Sequence, residues 1–448
     1  MQVTLEQPGG LERRLQVEVP EQQIAEQVKT RLQSVARSAR IDGFRPGKAP
    51  PKVIERQFGM RVRNEVVSEV LRASFAEAVG THQLRPVADP VIDPVSADLG
   101  QGLRYTATFE IFPEVVLAPV EGLRVERPQC EVTEADLDKM VEVLREQAKT
   151  WQEVNRQAIN GDQLLLDFEG TLEGETQPFE NGSAKEFTLV LGQGRMISGF
   201  EEGLVGVNAG EQRTLNLQFP SEYHNTEFAG RGVSFAVSVG KVEASVLPEM
   251  NADFFERFGV KDGALASFRQ EVRENMERER NRALERRFNG LVLERLREHH
   301  TLELPKTLIR SECLRLQQEM LRTLARRGID SASLGAHDDL SRFEASAANR
   351  VKLGLIMAEI IKHAGIKPQP AKIRARVEAL AASYEQPEAL LKWYYEEPQR
   401  LQEIEGLCLE EEAVEWVVER AQVTPISITF DDLMNPRQTA AETAAGDQ

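Results

Sequence analysis

The spacing of apolar residues changes along this chain of 448 residues, and these changes constrain its fold more than any other feature. The N-terminal quarter mixes alternating and helical spacing. From about Asn160, short alternating segments are separated by glycine turns, and Leu164, Leu166 and Phe168 share one face of a predicted strand. Beyond Pro248, apolar residues recur almost entirely at helical spacing. Because one ordinary core does not organise a chain of this length, the sequence predicts a multidomain α+β protein.

The predicted boundaries lie at these changes of pattern. The proline-punctuated stretch from Pro113 to Pro128 separates the first domain from the rest of the chain, and Thr133 to Asp136 has the form of a helix start. The residues after Asn435 are small and polar, which is typical of a disordered tail. The predicted division is an N-terminal α+β domain at 1–112, a linker and lead-in helix at 113–149, a strand-rich domain at 150–245, a helical domain at 246–434 and a tail at 435–448.

Within the first domain, residues 2–19 are predicted to form a hairpin whose inner face includes Leu15, Val17 and Val19. A helix is predicted from about Pro20. After residue 50 we predict two helices, a short one closed by Gly59 and a longer one that ends at Gly80.

A basic segment lies in this otherwise acidic protein. Between Lys29 and Arg72 there are eleven Lys or Arg against four Asp or Glu, a balance of +7, whereas the whole chain carries −17. Such a segment is an electrostatic footprint for a polyanion, either nucleic acid or a nucleoprotein surface.

The centre of the basic segment, Ile41 to Lys48, is a predicted loop, since Gly43, Pro46 and Gly47 interrupt regular structure. Its tip presents Phe44 beside two cations. An aromatic ring next to a guanidinium suits docking, because the ring supplies contact area and the guanidinium binds phosphate or carboxylate with two hydrogen bonds. The alternative is that Phe44 folds back onto a neighbouring helix.

The cysteines and the apolar segments of the sequence indicate where in the cell the protein is expected. The three cysteines, Cys130, Cys313 and Cys408, are far apart and form no paired motif, which favours a reducing, cytoplasmic location. We expect no signal peptide, because Glu6 and Glu12 precede any apolar run. We also expect no membrane partner, since the most apolar helical stretch is short and contains Glu359.

Recognised catalytic and ligand-binding patterns do not appear in the sequence. The six histidines are scattered, and we expect them at the surface, including the adjacent His299 and His300. Residues 269–287 mix seven Arg with five Glu, which is typical of a solvated helix face and not of a nucleic-acid arm. The sequence therefore predicts neither a cofactor nor a metal site.

The strand-rich domain contains the most specific motif. Its run VLGQGRMISGFEEG, residues 190–203, precedes FPSEYH at 219–224 and a predicted strand at 233–242. Together these resemble FKBP-type prolyl isomerases over about 158–244. The resemblance implies catalysis of cis/trans exchange at X-Pro bonds by a pocket that needs no acid or base. It implies these pocket residues: Phe168, Phe179, Glu180, Phe187, Met196, Ile197, Phe200, Tyr223 and Phe235.

Two of these positions depart from single-domain members of that family. Phe200 stands where Trp is usual, and Glu180 stands where Asp is usual. Both keep the chemical type, so we expect activity to persist and specificity to differ. The alternative for the apolar positions is a place in the β-sheet core.

The loop itself resembles a second family. Gly43 to Pro50 reads GFRPGKAP and is similar to the ribosome-docking signature of the trigger factor family, and the resemblance extends over essentially the whole chain. It implies an N-terminal docking domain, an inserted FKBP-like domain and an all-helical C-terminal chaperone domain. The implied partners are the large ribosomal subunit near the exit tunnel, nascent and unfolded polypeptides, and a possible homodimer off the ribosome. The implied ribosome-binding residues are Gly43, Phe44, Arg45, Gly47 and Lys48.

Pro46 occupies a position where Lys is often found in that family, so we expect ribosome docking to persist in weaker form. Two other functions remain open from the sequence. One is a free-standing cytosolic prolyl isomerase whose flanks form a dimerisation scaffold. The other is a nucleic-acid-binding protein that uses residues 29–72 directly. The helical part could likewise be a plain bundle with its apolar stripes buried, or a wide surface for unfolded chains.

Overall fold

The structure is a computed structural model. It describes residues 1–39, 44, 50–175, 177–223, 225, 227–328, 339–382, 384 and 386–435, and for Ser38, Pro94, Val95, Glu180 and Asn181 it describes the backbone alone. Of the predicted tail, only Asn435 falls within these residues.

An antiparallel four-stranded sheet forms the N-terminal part. Its strands are β1 (Gln2–Gly9), β2 (Glu12–Val19), β3 (Val91–Ser96) and β4 (Leu103–Glu110). Their order in the sheet is β1-β2-β4-β3. Leu15, Val17 and Val19 are buried on one face of β2, which confirms the predicted hairpin and its inner face. Strand β3 was not predicted; it pairs with β4 through Ile92 opposite Ala107.

Two helices, α1 (Glu21–Ser38) and α2 (Pro51–Thr81), complete this part. The predicted break at Gly59 is wrong, because α2 runs through it without interruption. A glycine inside a helix costs only about 1 kcal/mol relative to alanine, and the burial of Ile54, Val62 and Val66 along the same helix outweighs that cost.

A salt bridge fixes the start of α1 against α2. Both guanidinium nitrogens of Arg63 donate to the Glu21 carboxylate, at 2.7 and 2.8 Å, and one of them also donates to the carbonyls of Ala97 and Asp98. Arg63 is buried, so it is a structural residue although it was counted in the basic segment. The hydrogen bonds from Arg63 lower the pKa of Glu21.

The strand-rich domain contains a five-stranded antiparallel sheet and one short helix. The elements are β6 (Thr150–Glu153), β7 (Gln163–Leu172), β8 (Pro178–Val190), α4 (Phe200–Leu204), β9 (Gln212–Gln218) and β10 (Gly232–Val246). The strand order is β6-β10-β7-β8, and β9 also pairs with β10. Leu164, Leu166 and Phe168 are buried on one face, as predicted. The first and last strands of the domain pair with each other, and Thr150 lies opposite Val246.

The lead-in helix α3 (Glu134–Gln147) begins as the sequence predicts. Thr133 accepts from the backbone of Asp136, and the Asp136 carboxylate accepts from the backbone of Thr133, which is a capping box. Its buried residues Leu137 and Val141 pack with Phe254, Phe255 and others in one cluster.

The remainder of the chain is mostly helical. The helices are α5 (Ala252–Glu256), α6 (Leu265–His299), α7 (Lys306–Arg326), α8 (Ser341–Ala364), α9 (Pro370–Ala381), α10 (Pro387–Glu396), α11 (Pro398–Val418) and α12 (Phe430–Met434). Helix α8 ends before Gly365, which adopts the left-handed conformation, and α7 begins after Pro305.

Two contacts within this part depend on distant segments. Strands β5 (Arg124–Gln129) and β11 (Gln422–Ser427) pair although about 300 residues separate them. His300 is buried, which corrects the expected surface position. Its Nε2 accepts from the Ala118 amide at 3.1 Å, so its Nδ1 carries the proton and donates to the Leu296 carbonyl at 2.7 Å. This ring ties the linker to the end of α6.

By its contacts the chain divides into two compact units, residues 1–128 with 286–426, and residues 129–285 with 427 onwards. Each unit contains its own buried clusters: the first contains the N-terminal core and a helical core, and the second contains the strand-rich core and the cluster around α3. Among the described residues, no helix combines the length and apolar composition needed to cross a membrane.

Candidate active site

A cavity of about 810 Å³ opens on one side of the strand-rich domain. Its walls come from β7, β8 and β10 of the sheet, the loop that precedes α4, and the segment between β9 and β10. Most of the side chains that line it are apolar. The lining residues are Phe168, Phe179, Gly182, Arg195, Met196, Ile197, Ser198, Phe219, Pro220, Tyr223, Asn225, Glu227, Phe228 and Phe235.

Aromatic rings in edge-to-face contact form the inner wall. The Phe168 and Phe235 centroids are 5.9 Å apart, and the Phe179 and Phe235 centroids are 6.2 Å apart. Tyr223 faces Phe219 across 4.8 Å. Such interlocked rings leave little freedom to rearrange, so the wall is preformed.

The structure thus brings six of the predicted pocket residues to the cavity: Phe168, Phe179, Met196, Ile197, Tyr223 and Phe235. Phe200 is fully buried, with its ring 5.2 Å from Phe235 and 5.9 Å from Phe168, so it supports the wall from behind. Phe187 also packs on Phe168, at 5.5 Å, without lining the cavity. The side chain of Glu180 lies outside the described residues.

Two glycines make room for Phe179. A Cβ atom on Gly170 would lie 2.6 Å from the rings of both Phe179 and Phe235, and one on Gly182 would lie 2.7–2.8 Å from Phe179. Contacts this short do not occur between real Cβ atoms and rings. These glycines were not predicted, although a glycine inside a strand signals close approach of another group.

Phe219, Phe228 and the polar residues that line the cavity were not predicted. The Phe228 ring lies 5.0 Å from Phe179 and 5.6 Å from Phe219, and these three rings form the outer part of the wall. Arg195, Asn225 and Glu227 line the opening. Phe219 stands in the FPSEYH motif and could have been found there, whereas Phe228 lies in a turn with no pattern of its own.

The loop before α4 is anchored by Glu201, which is 5% exposed. Its carboxylate accepts backbone hydrogen bonds from Gly192 and Gly194, at 2.8 and 2.9 Å, and from Arg195 and Met196, at 2.7 and 3.3 Å. Burial raises the pKa of Glu201, but the backbone donors outweigh burial and bring the pKa below its ordinary value. The residue is therefore an ionised acceptor near neutral pH.

This arrangement suits rotation about an X-Pro bond. The barrier, about 18–20 kcal/mol, reflects lost amide resonance, and no proton or covalent bond is exchanged. An apolar cavity removes water from the amide and favours the twisted form through better contact with it than with the planar form. Among the described residues, no group of three His, Cys, Asp or Glu could hold a metal ion.

The predicted docking residues belong to the N-terminal part. Phe44 is 41% exposed, so the described structure does not bury it against a helix. Gly43, Arg45, Gly47 and Lys48 lie outside the described residues. On the flanking helices α1 and α2, Arg31 pairs with Glu69 at 3.4 Å and Arg61 with Glu65 at 3.0 Å. Lys29, Arg37, Lys52 and Arg56 on these helices are also exposed.

Comparisons with known proteins match most of the chain. The family described as "Bacterial trigger factor protein (TF)" matches residues 1–144, and its C-terminal counterpart matches residues 264–419. Between them, the family of FKBP-type peptidyl-prolyl cis-trans isomerases matches residues 154–239, which contain the cavity. The middle domain is therefore an FKBP-type isomerase domain, as predicted.

Several curated relatives align over nearly their full length. The trigger factor of Pseudomonas fluorescens strain Pf0-1 is 43% identical over 97% of this chain and 98% of its own. The trigger factor of Azotobacter vinelandii strain DJ is 42% identical, over 98% and 99% respectively. A solved structure of a trigger factor chaperone aligns over 94% of this chain and 99% of its own at 16% identity, with a TM-score of 0.49, too loose a likeness to support an argument. Because these curated relatives are more than 40% identical to it over nearly their full length, the chain belongs to the trigger factor family.

Proposed function

We propose that this protein is a ribosome-associated chaperone that shields nascent polypeptides and isomerises their X-Pro bonds. The aromatic cavity of the isomerase domain supports the catalytic half of this function. The family matches on both sides of that domain support the chaperone half. They also disfavour a free-standing isomerase with a dimerisation scaffold, because the flanks match trigger factor in their own right.

The N-terminal domain, residues 1–112, is the docking domain in this proposal. Gly43, Phe44, Arg45, Gly47 and Lys48 contact the large ribosomal subunit near the exit tunnel. The exposure of Phe44 and of the surrounding cations Lys29, Arg37, Lys52 and Arg56 supports this assignment, since an accessible ring and accessible positive charges suit a phosphate-rich surface.

Residues 246–434 bind clients, which are nascent and unfolded polypeptides. Their exposed large apolar side chains support this assignment, because many weak apolar contacts over a wide area retain an unfolded chain without selecting one sequence. We call the exposed large apolar side chains within residues 306–418 the client surface: Leu314, Leu380, Tyr384, Trp393, Tyr395 and Leu407. Off the ribosome, two copies associate as a homodimer.

Co-sedimentation with ribosomes at two salt concentrations tests the docking assignment. Phe44→Ala combined with Arg45→Ala should abolish co-sedimentation, because the ring and the guanidinium are the proposed contacts. Association of the unmodified protein should weaken steeply with salt.

A matched control is Arg257→Ala with Phe258→Ala, which removes the same two side-chain types elsewhere; Phe258 is 38% exposed against 41% for Phe44. This control should still co-sediment. If the folded Phe44/Arg45 variant binds ribosomes as the control does, the docking assignment fails. Binding to free RNA that persists in that variant would instead favour the nucleic-acid function.

A further inference from the structure

Glu201 combines burial, charge and an unusual set of partners. It is the second residue of α4, and its carboxylate accepts four hydrogen bonds from the loop that precedes the helix. Among the described backbone hydrogen bonds, those donated by Gly192, Gly194, Arg195 and Met196 all end on this one carboxylate. A single side chain thus determines the path of five consecutive residues.

The same loop forms one wall of the cavity. Arg195, Met196, Ile197 and Ser198 line the cavity directly, whereas Glu201 does not. Gly192 and Gly194 have φ values of +86° and +64°, in the left-handed region that glycine adopts most readily, and both amides donate to the Glu201 carboxylate. The position of the wall therefore depends on an acceptor behind it.

Removing the acceptor would have two consequences. The four N–H groups would lose their partner, which destabilises the loop wherever one of them stays buried without a substitute. The loop would also be free to move toward water, which would carry Met196 and Ile197 away from the rings of Phe168 and Phe235. The first consequence concerns stability, and the second concerns the cavity.

We propose that Glu201 is a positioning residue for prolyl isomerisation, acting through the loop that it anchors. This inference rests on the isomerase activity assigned to the domain. A wall set in place before the substrate arrives contacts the twisted amide without first rearranging. A loosened wall still offers apolar surface to the planar substrate, so loss of Glu201 lowers kcat more than it raises KM.

The test is Glu201→Gln in the full-length chain, assayed on a Pro-containing peptide over a range of concentrations. The glutamine side chain has one acceptor oxygen and one donor nitrogen. Some of the four backbone N–H groups would therefore face the NH2 group, which cannot accept a hydrogen bond. We expect kcat to fall about 10- to 100-fold, the scale for a small misplacement of a positioning group, with KM changed much less. Backbone amide signals of residues 192–196 should shift and lose protection from exchange.

Two controls separate positioning from general destabilisation. Glu202→Gln makes the same chemical change at the next residue, which is exposed and accepts a hydrogen bond from the Gly199 amide at 2.9 Å. Asp162→Asn alters another buried carboxylate of the domain, which binds Arg156 at 2.6 and 2.9 Å and does not line the cavity. Both should keep kcat, and Asp162→Asn should lower the melting temperature.

An unchanged kcat in Glu201→Gln would overturn the proposal. So would a fall in kcat in Asp162→Asn equal to that in Glu201→Gln, since that would reflect stability alone. If Glu201→Gln does not fold, Glu201→Asp decides the matter, because it keeps both oxygens but withdraws them by one methylene. We expect a smaller fall in kcat there, and no fall would refute the inference. An unmodified chain without isomerase activity would refute both this inference and the catalytic half of the proposed function.

Discussion

The isomerase domain and the helical part use apolar side chains in opposite ways. Residues 150–245 contain seven of the nineteen Phe of the chain, whereas the helical segment 286–426 of the first compact unit contains two; the other helical segment, residues 246–285, contains four. In the isomerase domain the rings interlock around one concave cavity. In the helical part, Trp393, Tyr395 and Leu407 are exposed, while the described core is formed mainly by aliphatic residues.

Because of this difference, one chain can act on a polypeptide in two ways. A preformed aromatic cavity grips one short segment and can discriminate a twisted amide from a planar one. A dispersed set of exposed side chains cannot make that distinction, but it can contact a long unfolded chain at many points. The two regions should therefore be separable by mutation.

The largest expected effect comes from deleting the isomerase domain. Because Thr150 pairs with Val246, the chain can be joined from Lys149 to Leu247 without spanning a large gap. Isomerase activity should be lost completely, whereas suppression of aggregation should remain, since the client surface is intact. Light scattering during refolding of a proline-poor client measures the second property, after circular dichroism has shown that the deletion variant is folded. A folded deletion variant with no holding activity would make the isomerase domain the main client site.

Substitutions at the cavity and in the core of the isomerase domain should separate effects on activity from effects on stability. Tyr223→Ala removes a half-buried ring at the cavity and should lose most isomerase activity with a small change in melting temperature. Leu164→Ala empties a fully buried site and should cost about 2–5 kcal/mol while the remaining folded protein stays active. Phe200→Ala should lose both, because its buried ring supports the wall. Equal activity losses per folded molecule in Tyr223→Ala and Leu164→Ala would contradict this distinction.

Glycine-to-alanine substitutions should have opposite signs in the two regions. Gly170→Ala places a methyl group against the rings of Phe179 and Phe235, so both stability and kcat/KM should fall. Gly354 lies exposed inside α8 with no atom near its Cβ position, so Gly354→Ala should raise stability by about 0.5–1 kcal/mol without affecting isomerisation. Thermal unfolding and a peptide assay on both variants test this. A stabilising Gly170→Ala would show that the rings do not depend on that glycine.

The smallest effect is expected from pH near neutrality. The isomerase rate should stay nearly flat from about pH 6 to 8, because the mechanism transfers no proton. Stability should instead fall in acid. The pKa values of Glu201 and Asp162 lie below their ordinary values of 4.5 and 3.8, so their contribution is present above those values and is lost as the pH falls through the folded-state pKa values. Rate and unfolding measurements across the range test both parts, and a bell-shaped rate profile near pH 7 would contradict the mechanism.

Local chemistry was enough for much of the fold. The alternation of Leu15, Val17 and Val19 predicted a buried strand face because side chains alternate across any strand. The Thr133–Asp136 capping box and the end of α8 at Gly365 were likewise predictable, since both depend on residues within one helical turn. Six of the residues that line the cavity were assigned by resemblance to a family whose order of glycines and aromatic residues is specific.

By itself, the sequence determined most strand and helix types, because these depend on short-range spacing, and its motifs pointed to the family and to six of the residues that line the cavity. Only the tertiary structure decided that α2 continues through Gly59, where burial along the helix outweighs a local preference. It also decided that Arg63 and His300 are buried, since each requires partners from distant segments to satisfy its polar atoms. For the same reason, the pairing of β5 with β11 and the clearance that Gly170 gives Phe179 could not be derived from local pattern: they depend on which distant atoms meet.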